Sequence, residues 1–177
     1  MKNRKWSYSL LTALLSLVSH AAFAGWSTHV EDDVFTGGQK AMLVDVKSEL
    51  NGVVFDCSKD HLKVSYIESG DTTDITDGIQ AELVFKVDQS KPVKFDALTT
   101  TRNNNFFGVK SAENDDSLKL LLSELKAASH HILVGVHYLQ SDQKYSYTFD
   151  TIGSAKAVNK FVKACEIDLS GISPQKS

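Results

Sequence analysis

Two cysteines constrain this chain more than any other feature. Cys57 stands in the stretch LNGVVFDCSKDHLKVSY, residues 50–66, and Cys165 stands almost at the C-terminus. Two cysteines allow one intramolecular pairing, and a Cys57–Cys165 bond closes a span of 108 residues. The alternatives are two buried free thiols or an intermolecular bridge. Which one applies depends on the compartment, because disulfides persist outside the cytoplasm and are rare inside it. There is no CxxC, so nothing points to redox chemistry.

The first residues address that question. Lys2, Arg4 and Lys5 make a positive start, Leu10 to Val18 a short apolar run, and Ala22-Phe23-Ala24 a small-x-small site. This is the pattern of a cleaved secretory signal, residues 1–24, leaving 25–177 as a single domain. The apolar run falls short of the roughly 20 residues a membrane-spanning helix needs. Export to the periplasm or beyond favours the intramolecular bond. Three of the 19 basic residues and none of the 22 acidic ones go with the signal, which takes the formal charge from −3 to −6. An acidic domain is a poor partner for nucleic acid.

Beyond residue 24 the periodicity is mostly two. Trp26, Thr28 and Val30 alternate in a first strand, with Glu31-Asp32-Asp33 as a polar break and Gly37-Gly38 as a turn. Lys40 to Glu49 is a second strand. Asn51-Gly52 then reads as a type I′ hairpin turn, which needs positive φ at both central residues. Val53, Phe55 and Cys57 share one face of the returning strand, so Cys57 is expected in the core. Further strands are expected over His61–Glu68, Ala81–Asp88, Val93–Thr101, Phe106–Lys110, His131–Gln140 and Tyr145–Asp150.

Two stretches carry a different period. Leu118, Leu121, Leu122 and Leu125 follow i, i+3, i+4, i+7, the stripe of an amphipathic helix, with Asp115, Asp116 or Ser117 able to cap it. Val158, Phe161, Val162 and Cys165 form a second stripe, on a helix from about Ser154. The tail from Asp168 is expected to fray. Strands first, then helix, hairpin and helix, define an α+β protein: an antiparallel sheet or sandwich with two helices packed on it and one disulfide.

No catalytic signature is present: no GxSxG, P-loop, dinucleotide fingerprint or HExxH. His131 and His137 share a strand face but sit roughly 20 Å apart at strand rise, too far for one metal. The loop SGDTTDITDG carries Asp71, Asp74 and Asp77, but Thr73 and Ile75 break the alternation a calcium loop requires. The expectation is a protein without enzymatic activity, cofactor or metal. Tyr138, Tyr145 and Tyr147, with Phe149, are candidates for core or for a partner surface, and Asp32 and Asp33 for a solvated face or a basic partner.

The order of several residues resembles the secreted VasI-type proteins associated with type VI secretion. The resemblance rests on Trp26, Asp32-Asp33, Cys57, the strand Leu83-Val84-Phe85-Lys86-Val87-Asp88, the Leu121/Leu122/Leu125 helix, and the closing Phe149, Gly153 and Cys165. It departs at Lys86, where the family carries Arg, and near Phe95, where it carries a tryptophan. It implies a non-enzymatic envelope protein, an accessory of a secretion apparatus. A periplasmic inhibitor or immunity protein is a variant of that reading. An envelope hydrolase with an unrecognised site is the contrasting one.

Overall fold

A computed structural model describes residues 25–48, 50–59, 61–112 and 115–175. The signal assigned to residues 1–24 lies outside them. The described residues form nine strands and two helices: β1 Ser27–Asp33, β2 Gly38–Ser48, β3 Asn51–Ser58, β4 His61–Ser69, β5 Gln80–Val87, β6 Val93–Asn103, β7 Phe106–Ser111, α1 Asp115–Ala127, β8 Ile132–Tyr138, β9 Gln143–Phe149 and α2 Ser154–Ala164. All nine strands belong to one antiparallel sheet in the order β1-β2-β3-β4-β7-β6-β5-β8-β9. The α+β class and the two packed helices are as the sequence indicates. The sheet is continuous.

Alternation builds the inner face. Leu43 on β2, Phe55 on β3, Val64 on β4, Phe85 on β5, Val109 on β7 and Val134 on β8 are all buried there. Phe55 lies at the centre, its ring 6.3–6.4 Å from those of Trp26, Phe85 and Phe161. β3 and β5 are separated in the sheet by β4, β7 and β6, so the Phe55–Phe85 contact requires a strongly curled sheet. Curling follows from the right-handed twist accumulating over many strands.

The curl brings the two edges together at one end. The Trp26 backbone N–H donates to the Ile152 carbonyl at 2.9 Å, and its indole N–H to the Asp150 carbonyl at 3.0 Å. α2 continues that closure along β1. The Thr28 hydroxyl donates to the Ala157 carbonyl at 2.7 Å, and Lys160 Nζ to the Thr28 carbonyl at 3.0 Å. Gly153 starts the helix at φ 78°, where a Cβ would also stand 3.0 Å from the Trp26 carbonyl oxygen. Both demands favour glycine.

Cys57 and Cys165 are bonded, with Cα atoms 6.2 Å apart. Cys57 is buried on the inner face of β3, and Cys165 caps the C-terminus of α2. The bond fastens the last helix to the third strand. In the chain-entropy account a loop near 100 residues contributes about 4.7 kcal/mol.

Four local expectations need correction. Asn51 and Gly52 are not the hairpin turn; they begin β3, with Ser48 opposite Asn51 and Val46 opposite Gly52. Gly52 is required for space, since a Cβ there would lie 2.8 Å from the Asp45 carbonyl oxygen. Glu31, Asp32 and Asp33 do not break β1; they pair with Lys40, Gln39 and Gly38. Asp115 and Asp116 sit inside the first turn of α1, where the helix dipole favours negative charge. The tail is docked on α1. The Ser123 hydroxyl donates to the Ile172 carbonyl, the Gln175 N–H donates to Glu124 Oε1, and Ile167 and Leu169 pack on the core.

Candidate functional site

The three candidate tyrosines meet on the inner face, at the end of the sheet away from the disulfide. Tyr145 and Tyr147 stand opposite Val136 and Val134, so their side chains share the core face of β8. Tyr147 stacks on Tyr66 of β4, ring centroids 4.4 Å apart and planes inclined by 25°. The Tyr66 and Tyr147 hydroxyls both donate to Glu68 Oε1 at 2.6 Å. These are charge-assisted hydrogen bonds of the short kind. Tyr138 meets Tyr145 edge-on at 6.1 Å.

Burial grades across this cluster. Tyr66 is buried, Tyr147 and Tyr138 are half-buried, and Tyr145 is 45% exposed. Burial first, and the Glu68 carboxylate second, push the Tyr66 phenol up and that of Tyr147 to about 12. Burial and the Glu68 charge also raise Tyr138. All three phenols are thus held neutral, and two of them, Tyr66 and Tyr147, donate to the one carboxylate. Tyr147 seals the core, and Tyr145 is the ring available to a partner. Glu68 and Tyr66 were not identified from sequence. Their signal was present: they lie two residues apart, which puts both on one strand face.

Asp32 and Asp33 do not join this cluster. Trp26, at the start of β1, is the residue that meets the segment after β9. Asp33 is seven residues further on, roughly 20 Å along the strand. Its role is to build the β1–β2 turn. Oδ1 accepts the Phe35 N–H at 3.0 Å, Oδ2 the Thr36 hydroxyl at 2.8 Å, and the carbonyl the Gly37 N–H at 2.8 Å. The Thr36 hydroxyl and then the Phe35 N–H hold the carboxyl below its usual range. The turn so fixed presents Val34, 84% exposed, and Phe35, 95% exposed. A large apolar side chain this exposed on a fixed tip was likewise not identified from sequence.

The remaining polar residues are engaged in building the fold. His137 Nε2 lies 2.7 Å from Asp142 Oδ1 on the exposed β8–β9 turn, and Lys144 Nζ lies 3.1 Å from the same oxygen. Asp88, at φ 48°, accepts the backbone N–H groups of Ser129, His130 and His131 and so fastens the end of α1 to β5. In the acidic loop, Asp71 accepts the Thr73 N–H and Asp77 accepts the Thr101 N–H. Among the described residues no three His, Cys, Asp or Glu side chains gather as metal ligands. No described helix is long and apolar enough to cross a membrane.

Asp45 is the unusual acid. It is 3% exposed on the inner face of β2. Burial, and then the charge of Asp150, push it up to about 6, with Lys47 opposing.

No protein-family model matches this chain, and no curated protein or solved structure matches it either.

Proposed function

We propose that this is an exported envelope protein without catalytic activity, which binds a basic segment of another protein at the open end of its inner sheet face. The observation that carries the reading is Glu68, a carboxylate held by two phenols, one of which, Tyr147, shares its strand face with the exposed Tyr145 ring. Aromatic faces around a carboxylate attract a lysine or arginine side chain through cation–π and charge interactions. Tyrosine is also among the residues most enriched in interface hot spots. The acidic balance of the chain works in the same direction. Export is supported by the pattern of residues 1–24 and by the Cys57–Cys165 bond.

The finer form of the proposal is an accessory role in type VI secretion, and it rests on the resemblance alone. A second reading is favoured by the β1–β2 tip. A fixed turn presenting Val34 and Phe35 suits insertion into the cleft of an envelope toxin or hydrolase, as an inhibitor or immunity protein would do.

Crosslinking and pull-down of tagged protein from intact periplasm tests these readings, with Glu68→Gln/Tyr145→Ala and Phe35→Ser variants alongside. Capture of secretion-apparatus components, lost in the Glu68/Tyr145 variant and weakened by salt, supports the accessory role. Capture of one toxin or hydrolase, lost in Phe35→Ser, supports the inhibitor reading. Capture unchanged in both variants, or no capture, overturns both.

A further inference from the structure

β4 presents different side chains on its two faces. Tyr66 and Glu68 point inward, while Ser65 and Ile67 point outward. Outward residues of an edge-to-edge sheet are normally wet, yet Ser65 is 1% exposed and Ile67 is 5% exposed. On this face the Arg102 side chain, from the end of β6, reaches across to β3. The register of β6 on β7 shifts between Thr101 and Asn103, a bulge that re-aims Arg102. Its guanidinium then grips Asp56 of β3 with both arms, Nη1 to Oδ2 at 2.7 Å and Nη2 to Oδ1 at 2.8 Å. The Asp56 hydrogen bonds hold this guanidinium more firmly charged than usual.

Between that wall and β4 lies a pocket of about 460 Å³. Ser65 and Ile67 form its floor, Thr100 and Arg102 its wall, and Lys63 and Lys110 its rim. The Ser65 Oγ is buried and has no hydrogen-bond partner among the described residues. A hydroxyl left this way is costly to the fold, and native interiors rarely keep one. Lys110 lies directly opposite Ser65 in the β4–β7 register and makes no ion pair among the described residues. The one carboxylate lining the pocket, Asp56, is already occupied by Arg102. The pocket thus combines an unused hydroxyl donor with the Lys110 ammonium, on a chain whose formal charge is −3.

The geometry points to a binding site for a small-molecule oxyanion, a carboxylate or a phosphate, with Ser65 Oγ donating to it and Lys110 supplying the charge. Arg102 shapes the pocket and is itself neutralised. The site continues into a second pocket of about 370 Å³ that shares Asp56 and Lys63 and reaches over Met42 toward His29 and His61. The body of the ligand extends that way. This site is on the opposite face from the tyrosine cluster and does not depend on the partner reading.

The test is an amide-resolved NMR titration of the full-length mature protein with inorganic phosphate and, separately, with glucuronate, each against sodium chloride of equal ionic strength. The expected result is saturable shifts at Ser65, Thr100 and Lys110 with at least one probe, and the preferred probe tells phosphate from carboxylate. Ser65→Ala is expected to weaken binding by about tenfold while leaving the thermal midpoint unchanged or higher, because it removes an unpaired buried hydroxyl. Lys110→Gln is expected to weaken binding and flatten its salt dependence. Three results overturn the proposal: no saturable shift at Ser65 with either probe, equal shifts with chloride, or a Ser65→Ala variant that loses stability but binds as before.

Discussion

The Tyr66 and Tyr147 rings stack with centroids 4.4 Å apart, although four other strands lie between β4 and β9 in the sheet. The contact spans the inside of the curled sheet and holds its two halves at a fixed distance. Glu68 fixes it further by accepting both hydroxyls on one oxygen.

Tyr147→Phe keeps the ring and the stack and removes one hydrogen bond to a charged acceptor. Such bonds contribute about 1.5–3 kcal/mol. The variant is expected to lose stability toward the lower end of that range, since Tyr147 is only half-buried. Tyr66→Phe should cost more, because its hydroxyl is deeper. The double variant should cost less than the two added, since both bonds end on the same oxygen and one remaining partner still satisfies it. Urea denaturation of the four proteins measures the coupling; strict additivity would contradict the shared-acceptor geometry.

The Cys57–Cys165 bond is predicted to be the largest single contribution to stability. Cys57→Ser and Cys165→Ser should each lower stability by about 2–5 kcal/mol, and by similar amounts. Cys57 is buried and Cys165 is half-buried, so a modest excess for Cys57→Ser is expected from packing. Thermal midpoints of both variants, against the reduced parent, are the measurement. Unequal losses with the reduced parent matching neither would mean that packing, not the crosslink, dominates.

What the sequence could show depended on how local the cause was. Alternation placed Leu83, Phe85, Val134 and Val136 on buried faces, and the Leu118 to Leu125 spacing placed α1, because a period is a local property. The Cys57–Cys165 pairing was legible because no other intramolecular pair exists. The strand order was not. β7 rather than β5 takes the place beside β4, and nothing within residues 70–79 encodes that choice. Asn51-Gly52 misled for a physical reason: the glycine that a turn would use is used instead for a close approach to Asp45. Glu68 was passed over because a charged residue near a strand end reads as solvated. Its value comes from Tyr147, 79 residues away, and depends on twist summed over the whole sheet.

The tail offers a third prediction. Ending the chain after Ile167 removes the Ile172 acceptor from Ser123 and the Gln175 donor from Glu124. Glu124 is 2% exposed, and burial raises its pKa while Ser90 and Gln175 oppose the rise. Truncation therefore takes away one of its stabilising donors and uncovers part of α1. A loss of about 1–3 kcal/mol is expected. Hydrogen exchange of the α1 amides should accelerate in the truncated protein. Unchanged exchange would mean that the tail rests on the helix without holding it.

Phe35→Ser should leave the fold untouched, because a side chain 95% exposed buries nothing. Asp33→Ala, two residues earlier, removes two side-chain acceptor contacts, keeps the carbonyl that accepts from Gly37, and should loosen only the tip. Amide spectra of the two variants should differ from the parent within residues 31–40 and nowhere in α2. A change reaching Trp26 or Thr28 would show that the tip is coupled to the closure of the sheet.

Asp45 gives the chain a pH dependence of unusual sign. Its pKa of about 6 in the folded state is raised from 3.8. A carboxyl shifted upward stabilises the fold most when it is protonated, so its contribution is fully present below pH 3.8 and is lost as pH rises through about 6. The acids held below their usual range, Asp88 with its three backbone donors among them, act in the opposite sense and matter only at lower pH. The charges facing Asp45 are Asp150, which raises its pKa, and Lys47, which lowers it. Asp45→Asn keeps the shape and removes the titration. It is expected to be more stable than the parent at pH 7, by about 2 kcal/mol, and nearly equal to it at pH 4. The difference between the two unfolding curves, followed from pH 4 to 7, isolates this one group. Parallel curves across that window would mean that Asp45 is already charged in the fold and has found a partner.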